Sequence, residues 1–286
     1  MKSIRKKITI CLMMTVLAAQ CFVGAVSISL NYTSTISTVD QMMCESATLA
    51  AERVEQELMA YKNVAADTGC ISQLSSQTIG VEEKRSIIDE RVSMHNFQRG
   101  NIISEDGISI FDGKDYSDRE YVQQAMQGNV YVSEPLVSKV TGELSIMVAA
   151  PLYYGGIQGT TVGGVVYFVP HETFLNDIVS SIRVSEHSRA YMINKSGDTI
   201  ADVTLETITT QNVERDAQSD KSLKELAAIH ADMRQGRNGF GSFRDTDGNR
   251  FSAYAPVGGT DGWSVAVTAL QTDYLADTYF GMLLNV

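Results

Sequence analysis

The sequence predicts an α+β protein: an N-terminal membrane helix that continues into a long helix, then two modules, each with an antiparallel sheet of about five strands. Three observations carry this. Residues 8–30 contain no charged side chain. Residues 31–68 contain neither proline nor glycine and show one apolar stripe at helical spacing. Residues 71–275 run twice through a hairpin, a helix and further strands separated by glycine-rich turns. Consecutive antiparallel strands with helices to one side make an α+β layer.

Residues 1–7 carry Lys2, Arg5, Lys6 and Lys7. The uncharged run behind them, ITICLMMTVLAAQCFVGAVSISL, fills 8–30, and a bilayer core takes about 20 apolar residues as helix. Cations before the run and none soon after it orient 1–7 to the cytoplasm and place the remainder outside. A cleaved signal peptide has a shorter apolar core, roughly 7–15 residues. A lipid anchor on Cys21 calls for a small residue before the cysteine, and Gln20 stands there. A retained helix fits the length best.

Residues 31–70 are expected as a stalk or packing helix. Ile36, Val39, Met43, Ala47, Ala50, Val54, Leu58, Tyr61 and Ala65 recur every three or four residues, which is one helical face. Such a stripe serves either packing on the chain's own modules or a homodimer that passes motion to the membrane, and spacing does not separate the two. Cys44 and Cys70 would lie some 39 Å apart on a continuous helix, too far for a disulfide. No Cys-x-x-Cys or Cys/His cluster points to a metal, and no cofactor is expected.

The first module, 71–183, opens with NIISEDGISIF (101–111), two β-type runs around Asp106-Gly107. A helix follows, then strand-like runs at 131–139, 143–154 and 161–169. The second, 184–275, opens with YMINKSGDTIADV (191–203), a hairpin around Ser196-Gly197-Asp198. Its helix, SLKELAAIHADMRQG, precedes strands at 239–257 and 262–270. Residues 276–286 end in the apolar run TYFGMLLNV and read as the start of a second membrane helix, the alternative being a C-terminal helix that packs on the chain itself.

The chain carries a net charge of −11, and without the four N-terminal cations the remainder carries −15. A body that acidic lacks the basic footprint of a nucleic-acid binder. No G-x-S-x-G elbow, H-E-x-x-H helix or P-loop occurs, so no enzymatic activity is expected. Asp245 and Asp247 resemble the start of a calcium loop, but Gly248 follows Asp247 directly, which breaks the EF-hand spacing and reads instead as an Asp247-Gly248 hairpin turn.

The stretch YSDREYVQQAMQGNVYVSEP (116–135) is the candidate site. Ser117 and Glu120 have capping-box spacing, which predicts a helix from Asp118. Arg119 offers a planar fork of donors suited to a carboxylate. Tyr121 lies on the same turn. Tyr131 and Ser133 alternate on the next strand, so both face one side of the sheet, and Tyr167 on VVYFV reaches that side too. Aromatic walls with a few converging polar groups describe a small-molecule pocket. The plainer reading pairs Arg119 with Asp115 or Asp118 at the surface.

Residues 115–154 (DYSDREYVQQAMQGNVYVSEPLVSKVTGELSIMVAAPLYY), 163–174 (GGVVYFVPHETF) and 253–270 (AYAPVGGTDGWSVAVTAL) resemble the double Cache family, extracytoplasmic sensor domains of bacterial transmembrane receptors such as methyl-accepting chemotaxis proteins. The resemblance implies two PAS-like modules packed on the long helix, with ligand held in the membrane-distal module. In amino-acid-binding members an Arg-x-Trp-Tyr stretch grips the ligand carboxylate and a later Asp binds its amine. Arg119 matches the arginine and Tyr121 stands at the tryptophan position. Val122 replaces the tyrosine, and Val169-Pro170 stand about where the Asp is expected. The resemblance therefore carries the carboxylate half of the grip.

The implied function is the ligand-sensing region of a receptor integral to the cell membrane, most in keeping with chemotaxis and homodimeric through the long helix. Sensor regions of histidine kinases or diguanylate cyclases are the alternative outputs. An anchored solute-binding or enzymatic domain without signalling is the other alternative.

Overall fold

A computed structural model of the chain describes residues 2–141, 144–171 and 174–275. The second membrane helix expected to start within 276–286 lies outside them. Helix α1 (Lys2–Gly69) is unbroken over 68 residues, roughly 100 Å at the α-helical rise. From Ile8 it is long and apolar enough to cross a membrane, and its early apolar residues, among them Leu12, Met13 and Phe22, are exposed.

The expected stripe is buried against the chain itself. Val39, Met43, Ala47, Ala50, Val54 and Leu58 pack into the core of the second module. Ala65, with Tyr61 beside it, packs into the core of the first. A homodimer through α1 therefore has to use the helix's exposed side, where Met42 and Leu49 stand. Leu30 and Ala65 are about 50 Å apart along this helix, so the first module lies farther from the apolar segment than the second. Cys44 and Cys70 are both free thiols at distant points along this axis. Burial, reinforced by Asp40, pushes the Cys44 thiol up to about 11, which keeps it protonated.

In the first module, α2 (Ser72–Ser75) and α3 (Val81–Met94) lead to β1 (Arg99–Ser104). Helix α4 (Glu120–Met126) precedes β2 (Tyr131–Val132) and β3 (Leu136–Val137). Strands β4 (Leu144–Ser145), β5 (Val148–Tyr153) and β6 (Val162–Val169) follow, then α5 (Phe174–Ser181). The antiparallel sheet runs β1-β6-β5-β2, with β3 and β4 paired separately.

This sheet has four strands where about five were expected. The chain turns at Asp106-Gly107, but the second arm makes only isolated bridges. Ser104 Oγ donates to the Ile108 carbonyl, and the Ser109 hydroxyl accepts from the Phe111 and Asp112 N–H groups. Such side-chain bonds compete with a ladder. The run at 131–139 breaks at Ser133–Pro135, since proline has no N–H for a ladder. The run at 143–154 breaks at Ile146-Met147, where the Met147 N–H donates to Ser133 Oγ at 2.9 Å.

The second module contains β7 (Arg189–Ile193), β8 (Thr199–Asp202), α6 (Val213–Asp216) and α7 (Lys224–Arg234), then β9 (Gly239–Asp245), β10 (Gly248–Pro256) and β11 (Ser264–Leu270). Its five strands run β8-β7-β11-β10-β9. Asp245 pairs with Gly248, so the β9–β10 turn residues are Thr246 and Asp247, one position earlier than expected. Asp245 and Asp247 both bind Arg250, at 3.3 and 2.7 Å. One sheet face carries Phe251, Trp263, Val265 and Val267 against α1. The other meets Ile229 and Met233 of α7.

His230 of α7 is 1% exposed, and its Nε2 is 2.9 Å from Tyr191 Oη. Burial lowers its pKa from 6.5 to about 4. The folded state then binds fewer protons than the unfolded state between these values, so stability falls as pH drops through that window. Acidification from pH 6.5 to 4 is expected to cost about 3 kcal/mol through this group. Denaturant melts of the parent and of His230→Gln across the window measure it, and the variant should show a correspondingly flatter profile.

The modules also touch each other. Asn194 Nδ2, in the β7–β8 turn, donates to Glu134 Oε2 between β2 and β3 at 2.9 Å.

Candidate ligand-binding site

The register of the first sheet builds the site. Asn101 on β1 pairs with Tyr167 on β6, Tyr167 with Ala149 on β5, and Ala149 with Tyr131 on β2. Directly opposed residues in antiparallel strands share a face, so these four make one row. Arg99 lies two residues before Asn101 on the same face. Helix α4 covers this face with Tyr121, Val122 and Ala125.

Helix α4 begins at Glu120, with Arg119 in extended conformation at its N-cap and no side-chain cap. The capping box expected from Ser117 does not form. Ser117 instead turns back on Asp115, whose carboxylate accepts from both its N–H and its hydroxyl. An Asx turn of this kind displaces the helix start by two residues.

Three tyrosines meet under α4. Tyr116, Tyr121 and Tyr167 are each 2% exposed or less, so their rings form a wall away from bulk water. The Tyr121 and Tyr167 ring centroids are 5.4 Å apart at 64°, and those of Tyr116 and Tyr167 are 6.1 Å apart. The first pair is edge-to-face, a favourable geometry, and the second is tilted. Tyr116 Oη donates to Asp112 at 2.8 Å, and Asn101 Nδ2 donates to Tyr167 Oη at 3.3 Å. Burial raises the phenol pKa of all three, so they stay protonated at neutral pH.

Cations surround this wall. Arg119 stands at the start of α4, two residues before Tyr121, and Arg99 stands on β1 two residues before Asn101, on the tyrosine face. The Arg119 side chain is 24% exposed and so is not directed into bulk solvent. It lies 4.0 Å from Asp118, a loose contact. Asp118 is held more closely by Lys139, whose Nζ also accompanies the Tyr116 ring at 5.5 Å. Arg99 Nη2 donates to Ser138 Oγ at 2.8 Å, while its buried Nε makes no hydrogen bond.

Of the residues picked from sequence, Arg119, Tyr121 and Tyr167 converge. Tyr131 is half-buried at the edge of the same cluster, its phenol raised by burial and by Glu120. Ser133 is used by the backbone: its hydroxyl accepts from Met147 N–H and donates to the Glu134 carbonyl at 2.8 Å. Sequence reasoning missed Arg99, Asn101, Tyr116 and Lys139. Polar residues at alternating positions 99 and 101 of a strand were the available signal for the first two.

The whole architecture matches solved sensor domains. The sensory domain of the Campylobacter jejuni chemoreceptor Tlp3, solved with isoleucine bound, superposes with a TM-score of 0.65 at 12% identity, covering 85% of this chain and 96% of that one. The ligand-binding domain of Mlp24, solved with asparagine, gives 0.61 at 17% identity, covering 88% and 99%. The extracellular domain of mmHK1S-Z2, described as a histidine kinase, gives 0.62 at 17%, covering 84% and 99%. At these identities the likeness is one of fold. No curated protein sequence matches the chain. The family model for the Cache domain of the double type, dCache_1, matches residues 30–278, and the chain belongs to that family of sensory domains.

Proposed function

We propose that the chain is the extracytoplasmic sensing region of a transmembrane signalling receptor, anchored by residues 8–30, that binds a small carboxylate or amino-acid-like molecule in its first module. The observation that carries this reading is that Arg119 at the start of α4 and Arg99 on the face of β1 that α4 covers flank the buried Tyr121–Tyr167 pair. A guanidinium fork recognises a carboxylate through two parallel N–H bonds, and the tyrosine rings supply an apolar wall for the rest of the molecule. Arg119, Tyr121, Tyr131 and Tyr167 contact the ligand, and Ser133 shapes the strand end behind them. The amino acids bound by Tlp3 and Mlp24 have the same carboxylate chemistry. Both sheets pack on α1, so ligand that draws α4 toward the sheet shifts the sheet against the helix. Chemotaxis is the output proposed for that displacement. A ligand moves the equilibrium only by its differential affinity for the two helix positions.

Isothermal titration of the full chain in detergent micelles, against isoleucine, asparagine and short unbranched carboxylates, tests the reading. Saturable binding that competes within this set supports it, and no heat from any of them overturns it.

Communication between the modules runs through the Glu134–Asn194 bond. In the parent, ligand in the first module is expected to slow amide exchange in the β7–β8 turn. Glu134→Ala should bind ligand as the parent does while losing that protection, measured by hydrogen exchange with mass spectrometry.

A further inference from the structure

The second module has a cavity of its own, of about 270 Å³, between the sheet and α7. Tyr191, Asp202, Thr207, Gln211, His230 and Phe243 line it. It lies on the opposite side of the sheet from α1 and shares no residue with the tyrosine cluster of the first module.

The charges around it are unevenly satisfied. Arg250, 1% exposed, is held by Asp245 and Asp247, and Arg189 lies 3.3 Å from Asp247 and 4.0 Å from Asp245. Two arginines and two aspartates thus balance along one wall. Asp202 stands outside this quartet. Its Oδ1 accepts from the Thr204 N–H at 2.6 Å. Burial raises its pKa, against the pull of that bond and of Arg189.

A second observation is independent of charge. His230 lines the cavity and is 1% exposed, yet its buried Nδ1 makes no hydrogen bond, although Nε2 is bonded to Tyr191. A buried polar atom left unpaired costs stability, about 1–3 kcal/mol in general, and a ligand group at that position removes the cost.

We propose that this cavity is a second ligand site, selective for a small protonated amine that carries a hydroxyl. The ammonium pairs with Asp202 and lies against the Tyr191 and Phe243 rings, which attract cations through their faces. The hydroxyl bonds His230 Nδ1. Anionic ligands are disfavoured because both arginines are already bound to aspartates.

The test is isothermal titration of the full chain in detergent micelles with ethanolamine and 3-amino-1-propanol, and with propionate as the anionic comparison. The parent is expected to bind at least one of the two amines. Asp202→Asn, nearly isosteric, should weaken that binding at least about tenfold. Thr207→Phe, which fills the cavity, should do the same, with cooperative melting in both variants showing that they fold. Arg119→Ala should leave amine binding unchanged, which separates this site from the one in the first module. Failure of the parent to bind either amine overturns the proposal. So does amine binding that survives Asp202→Asn and Thr207→Phe, or that is lost in Arg119→Ala.

Discussion

Arg119→Ala is expected to weaken carboxylate binding by at least about 30-fold, about 2 kcal/mol. The side chain is mostly covered and lies 4.0 Å from Asp118 at the start of α4. What it removes is one of the two forks beside Tyr121. Removing one partner of a desolvated, hydrogen-bonded charge pair leaves the other unpaired, which is the source of the large cost. Arg119→Lys keeps the charge but offers no planar fork, and should fall between the parent and the alanine variant. Titration calorimetry of the three proteins with the same carboxylate gives the order directly. Equal affinity across the series would mean that Arg119 does not touch the ligand.

Trp263→Ala is expected to destabilise the chain by about 3–5 kcal/mol. Trp263 is the only tryptophan and is 2% exposed. It sits in the core that joins the second sheet to α1, and its backbone carbonyl accepts from the Val257 N–H at 2.8 Å. The neighbouring β10 and β11 strands are paired along their length and offer little freedom to collapse into the hole. Urea unfolding followed by circular dichroism measures the loss. The Trp263→Phe variant, which retains an aromatic ring, should recover much of it. A loss below about 1 kcal/mol would show that α1 is not held by this core.

The two predictions concern different parts of the chain, and those parts were legible to different degrees. The stripe from Val39 to Ala65 was readable because helical periodicity is carried by residues three and four apart, and its members are buried or packed against the two cores, a choice over dimer packing that spacing had left open. The β7–β8 hairpin was readable for a similar reason, since its turn residues are adjacent in the chain. The matching hairpin in the first module looked the same in sequence but lost its second arm to the hydroxyls of Ser104 and Ser109. The helix start near Arg119 moved by two residues because Asp115 captured Ser117. In both cases a short polar side chain offered the backbone a bond that competed with regular structure, and pattern alone does not rank the two.

Local order therefore follows from spacing along the chain: a long uncharged helix, one apolar face, and two sets of alternating strands. Which side chains share a pocket does not follow from it. Arg99 comes beside Tyr121 and Tyr167 through the antiparallel pairing of β1 with β6, which joins residues some seventy positions apart. Asp202, His230 and Phe243 surround one cavity because β8, α7 and β9 fold onto the same sheet face. Periodicity is a property of neighbours. Convergence depends on strand register and on which faces are driven together by burial, and a slip of β1 by one residue against β6 would turn Arg99 and Asn101 away from Tyr167, to the α1 side.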